Sequence, residues 1–208
     1  MKMNLSFSKS FFKSTGKTLL LLSGFSILTA CGMQSIPQQK NATEASLAEV
    51  TNQYKRRADL IPNLVNVVKG YAKHENETLL GVTEARAKAT SITIDPSKVT
   101  PDQLAKFSQA QGQLSQALGR LLAVSENYPN LKADTQFRDL QAQLEGTENR
   151  ITVARQRYIQ SINDFNNLVV VPPTSWTNSF LYHFEKMPQW DLAPEEKAAA
   201  EKAPEVKF

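Results

Sequence analysis

A chain of 208 residues, 41% apolar and 21% charged, has the material for one domain with a substantial core, and its few, scattered Gly and Pro exclude a low-complexity polymer. Its formal charge of +4 is confined to Lys2, Lys9, Lys13 and Lys17, ahead of the one cysteine, Cys31; the other twenty Lys and Arg equal the 20 Asp and Glu. A balanced chain with no basic stripe argues against nucleic-acid binding, which needs surplus positive charge to neutralise phosphates.

The four lysines lie among Ser and Phe, and an apolar run at 19–28 (LLLLSGFSIL) leads to Leu28-Thr29-Ala30-Cys31. That run, about 12 residues to Ala30, falls short of the ~20 that a transmembrane helix needs. A basic start, a short apolar core and small residues at the end describe a cleavable signal over residues 1–30. The last four residues resemble the lipobox of bacterial lipoproteins. That resemblance implies diacylglycerol on the Cys31 thiol and a further acyl chain on the amine freed by cleavage. Each buried CH₂ contributes about 0.8 kcal/mol, so several chains hold a protein on a membrane. The alternative is a short uncleaved anchor with an incidental cysteine. Gly32 stands where an Asp is linked to inner-membrane retention in enteric bacteria, which leaves the choice of membrane open. With no second cysteine for a disulfide, packing alone must hold the fold.

Residues 31–40 read as the modified cysteine and a short polar tether. A bundle follows at 41–171. Leu47, Val50, Tyr54, Arg57, Ile61, Leu64, Val68 and Tyr71 recur at spacings of three and four, and Leu79, Val82, Ala85 and Arg86 carry a similar face onward. This predicts one helix from about Asn41 to Ala89, kinked or broken near Pro62, where a proline removes a hydrogen bond and crowds the preceding turn. Asp95-Pro96 marks a turn. Thr100-Pro101-Asp102-Gln103 is a capping-box start for a second helix through Leu104, Phe107, Leu114, Leu118 and Leu121. Small residues Ser108, Gly112, Ser115 and Gly119 run beside that face; close helix contact is the expected use, a ligand groove the alternative. A third helix starts near Asp134 and continues through Phe137, Leu144, Thr147, Ile151, Ala154, Tyr158 and Phe165, ending before Pro172-Pro173. Residues 172–191 hold a short C-terminal helical and aromatic segment, and residues 192–208 a flexible tail. Short connections between long amphipathic helices imply antiparallel neighbours, and no segment alternates as a strand would. The expected fold is all-α: an antiparallel bundle of three long helices plus a short C-terminal helix.

Several stretches together carry a resemblance: QYKRRADLIPNLV at 53–65, Val68-Lys69-Gly70-Tyr71-Ala72 with His74-Glu75, Glu84-Ala85-Arg86-Ala87, Glu126-Asn127-Tyr128-Pro129-Asn130-Leu131-Lys132, and LEGTENRI at 144–151. They resemble, in order, the motifs of the LemA family of bacterial envelope proteins. Asn166-Asn167 departs from the Tyr-Asn pair common there, and the lipobox-like start replaces the uncleaved transmembrane helix of many members. The resemblance implies a helical bundle outside the cytoplasmic membrane, no established activity, no cofactor, and an envelope protein partner, for instance one of the TPM-domain type.

The residues themselves supply no phosphate loop, nucleophile elbow or zinc motif. His74 and His183 have no companion at ligand spacing, so no metal site is expected. Arg57 sits where a seam wants Leu or Val, and a buried guanidinium must be paired. Glu145 and Glu148 flank Thr147 in the third seam, so a structural ion network of Arg57, Glu145 and Glu148 is expected, with Arg57 on Glu148. If three helices alternate in direction from the lipid outward, Trp176, Phe180, Phe184 and Trp190 gather at the end remote from the membrane. There they would form a partner surface or, alternatively, cap the bundle. The functional expectation is a non-enzymatic, extracytoplasmic scaffold or adaptor, lipid-anchored to a bacterial membrane. The rivals are a binding module for an envelope polymer or small ligand, and an enzyme built on Glu145, Glu148, His74 and Arg86.

Overall fold

The computed structural model describes residues 8–72 and 74–190, with side chains from Met33 onward. The expected signal peptide of residues 1–30, the Cys31 thiol and the expected flexible tail of residues 192–208 fall outside the described side chains. Six α-helices follow in order: α1 (Ser8–Tyr71), α2 (Asn76–Ser91), α3 (Pro101–Ser125), α4 (Pro129–Ala133), α5 (Thr135–Val170) and α6 (Thr174–Thr177), the last running into a π-helical turn, Asn178–Tyr182. Among the described residues there is no strand, and no helix is long and apolar enough to cross a membrane. By packing, the chain divides into a unit of Thr43–Ile162 with Pro188–Phe208, and a unit of Met1–Ala42 with Asn163–Met187.

In the larger unit the expected seams are the buried faces. Leu47, Val50, Tyr54, Arg57, Ile61, Leu64 and Val68 of α1 are buried, as are Leu104, Phe107, Leu114, Leu118 and Leu121 of α3 and Phe137, Leu144, Ile151, Ala154 and Tyr158 of α5. The register of α1 against α5 is pinned by three hydrogen bonds: Thr43 Oγ1 to Ser161 O at 3.0 Å, Arg57 Nη1 to Glu148 Oε2 at 2.9 Å, and Tyr71 OH to Asp134 Oδ2 at 2.8 Å. Positions 43, 57 and 71 meet 161, 148 and 134 in reverse order, so the helices are antiparallel, tied about every 21 Å at 1.5 Å per residue.

The first helix does not break at Pro62. It continues to Tyr71, and the chain reverses over residues 72–75, where Glu75 N donates to Ala72 O. The bundle therefore has four main helices where the seams suggested three. The reason lies in another element. Pro62 has no N–H for the carbonyl of Ala58, four residues back. Arg86 Nε, on the antiparallel α2, donates to that oxygen at 2.7 Å, and the proline itself is exposed. Helix starts follow the sequence: Thr100 and Gln103 form the reciprocal capping box of α3, and Asp134 Oδ1 accepts from Phe137 N at the start of α5.

In the smaller unit, residues 33–40, expected as a tether, belong to α1, and Ile36 is buried. Pro37 repeats the situation at Pro62. The carbonyl it leaves without a helix donor is that of Met33, and Tyr182 OH donates to it at 2.6 Å. Asn166 holds the returning chain by accepting from Met187 N at 2.8 Å and donating to Met187 O at 3.1 Å.

Candidate functional site

Arg57 projects from α1, midway along the part of that helix in the larger unit, and is 2% exposed. Its Nη1 donates to Ser115 Oγ at 2.7 Å and to Glu148 Oε2 at 2.9 Å; its Nη2 donates to Gln111 O at 3.1 Å and Gln111 Oε1 at 2.8 Å. The N–H on Nε has no acceptor, and the guanidinium carbon lies 5.0 Å from the Tyr54 ring centroid. One fork thus binds α1 to α3 and α5 at once. Glu148 is 54% exposed, so the pair is a buried cation with a solvated counter-charge. Glu145 stays out of this network; its Oε1 accepts from Gln141 Nε2 at 3.2 Å.

Sequence reasoning missed Gln111. The signal was a gap: 104, 107, 114, 118 and 121 leave one position unfilled in a three-four seam, and Gln111 fills it, buried with its side chain on Arg57. The small-residue stripe divides: Ser108 is buried, as a helix contact requires, while the glycines differ from that expectation. A Cβ built on Gly112 or Gly119 meets nothing within 4 Å. Ser115 and Gly119 line an open groove of about 330 Å³ between α3 and α5, with Leu118, Leu122 and Leu144 in it, Glu145 and Glu148 on the α5 side and Arg57 beneath. A second groove, of about 490 Å³, lies between α1 and the α2–α3 connection and includes Lys55, Asp59, Arg86, Thr90, Phe107 and Gln111. Its charges are of both signs, and Arg86 there is engaged by Ala58 O.

The four residues of the catalytic alternative do not converge. Arg86 bonds a backbone carbonyl, Glu145 a glutamine and Glu148 Arg57. His74 is exposed in the turn after α1, about 20 Å along the helix from Arg57 at 1.5 Å per residue. Among the described residues no three His, Cys, Asp or Glu side chains gather as metal ligands would. The turn end is tied by two phenols: Tyr71 donates to Asp134, and Tyr128 OH donates to Glu75 Oε1 at 3.1 Å. Each neighbouring carboxylate raises its phenol's pKa above the usual range, and the Phe137 N–H, with Tyr71, holds Asp134 below its own.

The four aromatics expected to share a partner surface are divided. Trp190 is 7% exposed, because it completes an aromatic cluster of the larger unit. It stacks on Tyr54 at 6.5 Å, meets Phe107 and Tyr158 edge-on at 6.3 and 6.0 Å, and carries Arg155 over its ring at 5.3 Å. Phe184 is half-buried between Tyr182 and Phe165 in the smaller unit. Trp176 and Phe180 are 61% and 84% exposed. The Tyr182–Met33 bond sets their segment beside the part of α1 that carries Met33, two residues from Cys31. The reversal after Tyr71 adds a helix to the order, so α5 runs antiparallel to α1, from Tyr71 back to Thr43.

The model of the LemA family matches residues 46–208. A protein LemA of Metamycoplasma hominis is 29% identical over 124 residues, 60% of this chain and 52% of that protein, so the chain spans about half the length of that curated relative. With the family match covering well over half of its residues, the chain belongs to the LemA family.

Proposed function

We propose that the chain is a non-enzymatic extracytoplasmic adaptor, anchored to a bacterial membrane through lipid on Cys31, that receives a segment of another envelope protein in the groove between α3 and α5. The groove carries this reading. Its floor is apolar, its α3 wall is lowered by Ser115 and Gly119, and its α5 wall carries Glu145 and Glu148. Such a trough suits a helix offering apolar side chains flanked by Lys or Arg. Arg57 ties the three helices around it, so its shape is built in before any partner arrives. The lipobox-like Leu28-Thr29-Ala30-Cys31 supports the anchor, and the family resemblance supports an envelope partner such as a TPM-domain protein.

Two measurements test this. The intact mass of membrane-extracted protein should show acyl chains on an N-terminal Cys31; an unmodified chain starting at Met1 contradicts the anchor. Cross-linked membranes should yield an envelope protein with the natural chain and lose it with Glu145→Lys, a change at an exposed position whose hydrogen bond is with Gln141. An unchanged set of partners moves the binding surface off the groove.

A further inference from the structure

From residue 165 to 182 the chain has no Asp, Glu, Lys, Arg or His, although 21% of the whole is charged. In the smaller unit, Met33, Val170, Val171, Trp176, Phe180 and Leu181 are all exposed. Trp176 and Phe180 stand four apart on the turns formed by α6 and the π-helical turn, with Leu181 next to Phe180; Thr177 and Asn178, between them, are buried. The outward set is a fixed shape. Asn178 Nδ2 donates to Phe184 O at 3.0 Å, and Phe184 N donates back to Asn178 Oδ1 at 3.0 Å. Tyr182 OH, in the same turn as Phe180 and Leu181, bonds Met33 O, and a helix advances only ~1.5 Å per residue, so that hydroxyl sits roughly 3 Å along α1 from the Cys31 backbone.

An exposed apolar edge of this kind marks an interaction surface, and its occupant follows from chemistry and place. This edge has no charged residue within it, and the charged residues that follow it, Glu185 and Lys186, are exposed. Trp belongs at the headgroup level of a bilayer, with apolar neighbours reaching ~5–10 Å into the boundary with the acyl chains. Whether Cys31 carries lipid or the apolar run at 19–28 stays attached, the chain meets the membrane just before Met33.

We propose that Trp176, Phe180 and Leu181, with Val170 and Val171, insert into the interface of the membrane that holds the chain at Cys31, as a second anchor beside the first. The proposal rests on membrane attachment at that end and is independent of the groove. Acyl chains on Cys31 would hold the chain to the membrane, and an apolar edge inserted beside them would fix the orientation of the folded unit on its surface.

The chain has two tryptophans, which makes the test direct. The full chain is extracted from membranes and returned to phosphatidylcholine–phosphatidylglycerol vesicles whose acyl chains are brominated near the headgroup. Trp176 emission should be strongly quenched and that of buried Trp190 untouched, so Trp176→Phe should emit equally in brominated and ordinary vesicles. Phe180→Asp, at a position 84% exposed, should weaken the quenching without changing the circular dichroism. Unquenched Trp176 in a preparation whose mass shows lipid on Cys31 overturns the second anchor and leaves the first standing. Quenching in a preparation without lipid supports the edge and removes the lipid reading. A photoreactive residue at 180 that captures protein rather than lipid overturns the proposal in favour of a protein partner.

Discussion

The α3–α5 groove and the edge at residues 170–182 are both apolar, yet what borders them differs. The groove is a recess with two carboxylates on its rim and a buried guanidinium beneath it. The edge is a projecting set of Val, Trp, Phe and Leu with no charge among them. Apolar area alone does not name an occupant; the charges around it do. A rim of acids selects a partner that brings basic groups, whereas an uncharged edge is at home among lipid chains and headgroups.

The contrast is sharpest between the two tryptophans. Trp190→Ala should cost about 3–5 kcal/mol by emptying the centre of an aromatic cluster, and Trp176→Ala should leave urea unfolding nearly unchanged because its side chain is exposed. Equal losses would mean that the edge is core. Beneath the groove, Arg57→Ala should also cost about 3–5 kcal/mol, since it strands Gln111 in the interior and removes a packed side chain. Glu148→Ala should cost about 3 kcal/mol, because it leaves the buried Arg57 guanidinium without a counter-charge even though the carboxylate itself is half exposed. Their double-mutant cycle should show coupling, whereas additive losses would count against direct pairing.

The two prolines of α1 offer a subtler comparison, one in each unit. Arg86→Met should cost about 1 kcal/mol by leaving the Ala58 carbonyl without a donor. In a Pro62→Ala background the cost should vanish, because the helix supplies its own N–H. Tyr182→Phe should show the same dependence on Pro37 but a smaller effect, since water reaches the Met33 carbonyl. Smaller still are the pH effects, which belong to the larger unit. Asp134, held below 3.8, contributes stability that is present above that value and lost as pH falls through its lower folded pKa. Tyr71 and Tyr128, raised above 10.0, and Tyr158, pushed by burial to about 12, contribute stability that is full below pH 10.0 and lost as pH rises through their folded values. Thermal melting against pH should show both limbs, with Tyr71→Phe and Tyr128→Phe flattening the alkaline one.

Local pattern was enough for the seams of α1, α3 and α5, the Thr100 capping box and the Asp134 cap, because each is written within a few residues of chain. Arg57 announced itself as a charge in an apolar seam. What stayed hidden depends on groups distant in sequence. Pro62 signals a break only if nothing else can satisfy Ala58 O, and Arg86 lies 28 residues away. The reversal at residues 72–75 lies within a pattern whose three-four spacing continues on both sides. Trp190 stands in a proline-flanked stretch with no periodicity to reveal which interior it fills. Glycine in a helix usually admits a neighbour, so the stripe predicts a contact, whereas at Gly119 no other element comes near.

The division of labour between groove and edge can be tested in one experiment on living cells. A photoreactive amino acid is placed at position 119, where no atom crowds the site, and separately at position 180, and the adducts are identified after irradiation of intact membranes. The expected result is a defined envelope protein captured from position 119, with capture abolished by Glu145→Lys, and phospholipid captured from position 180. Lipid at 119, or the same protein at both positions, would contradict the assignment of the two surfaces.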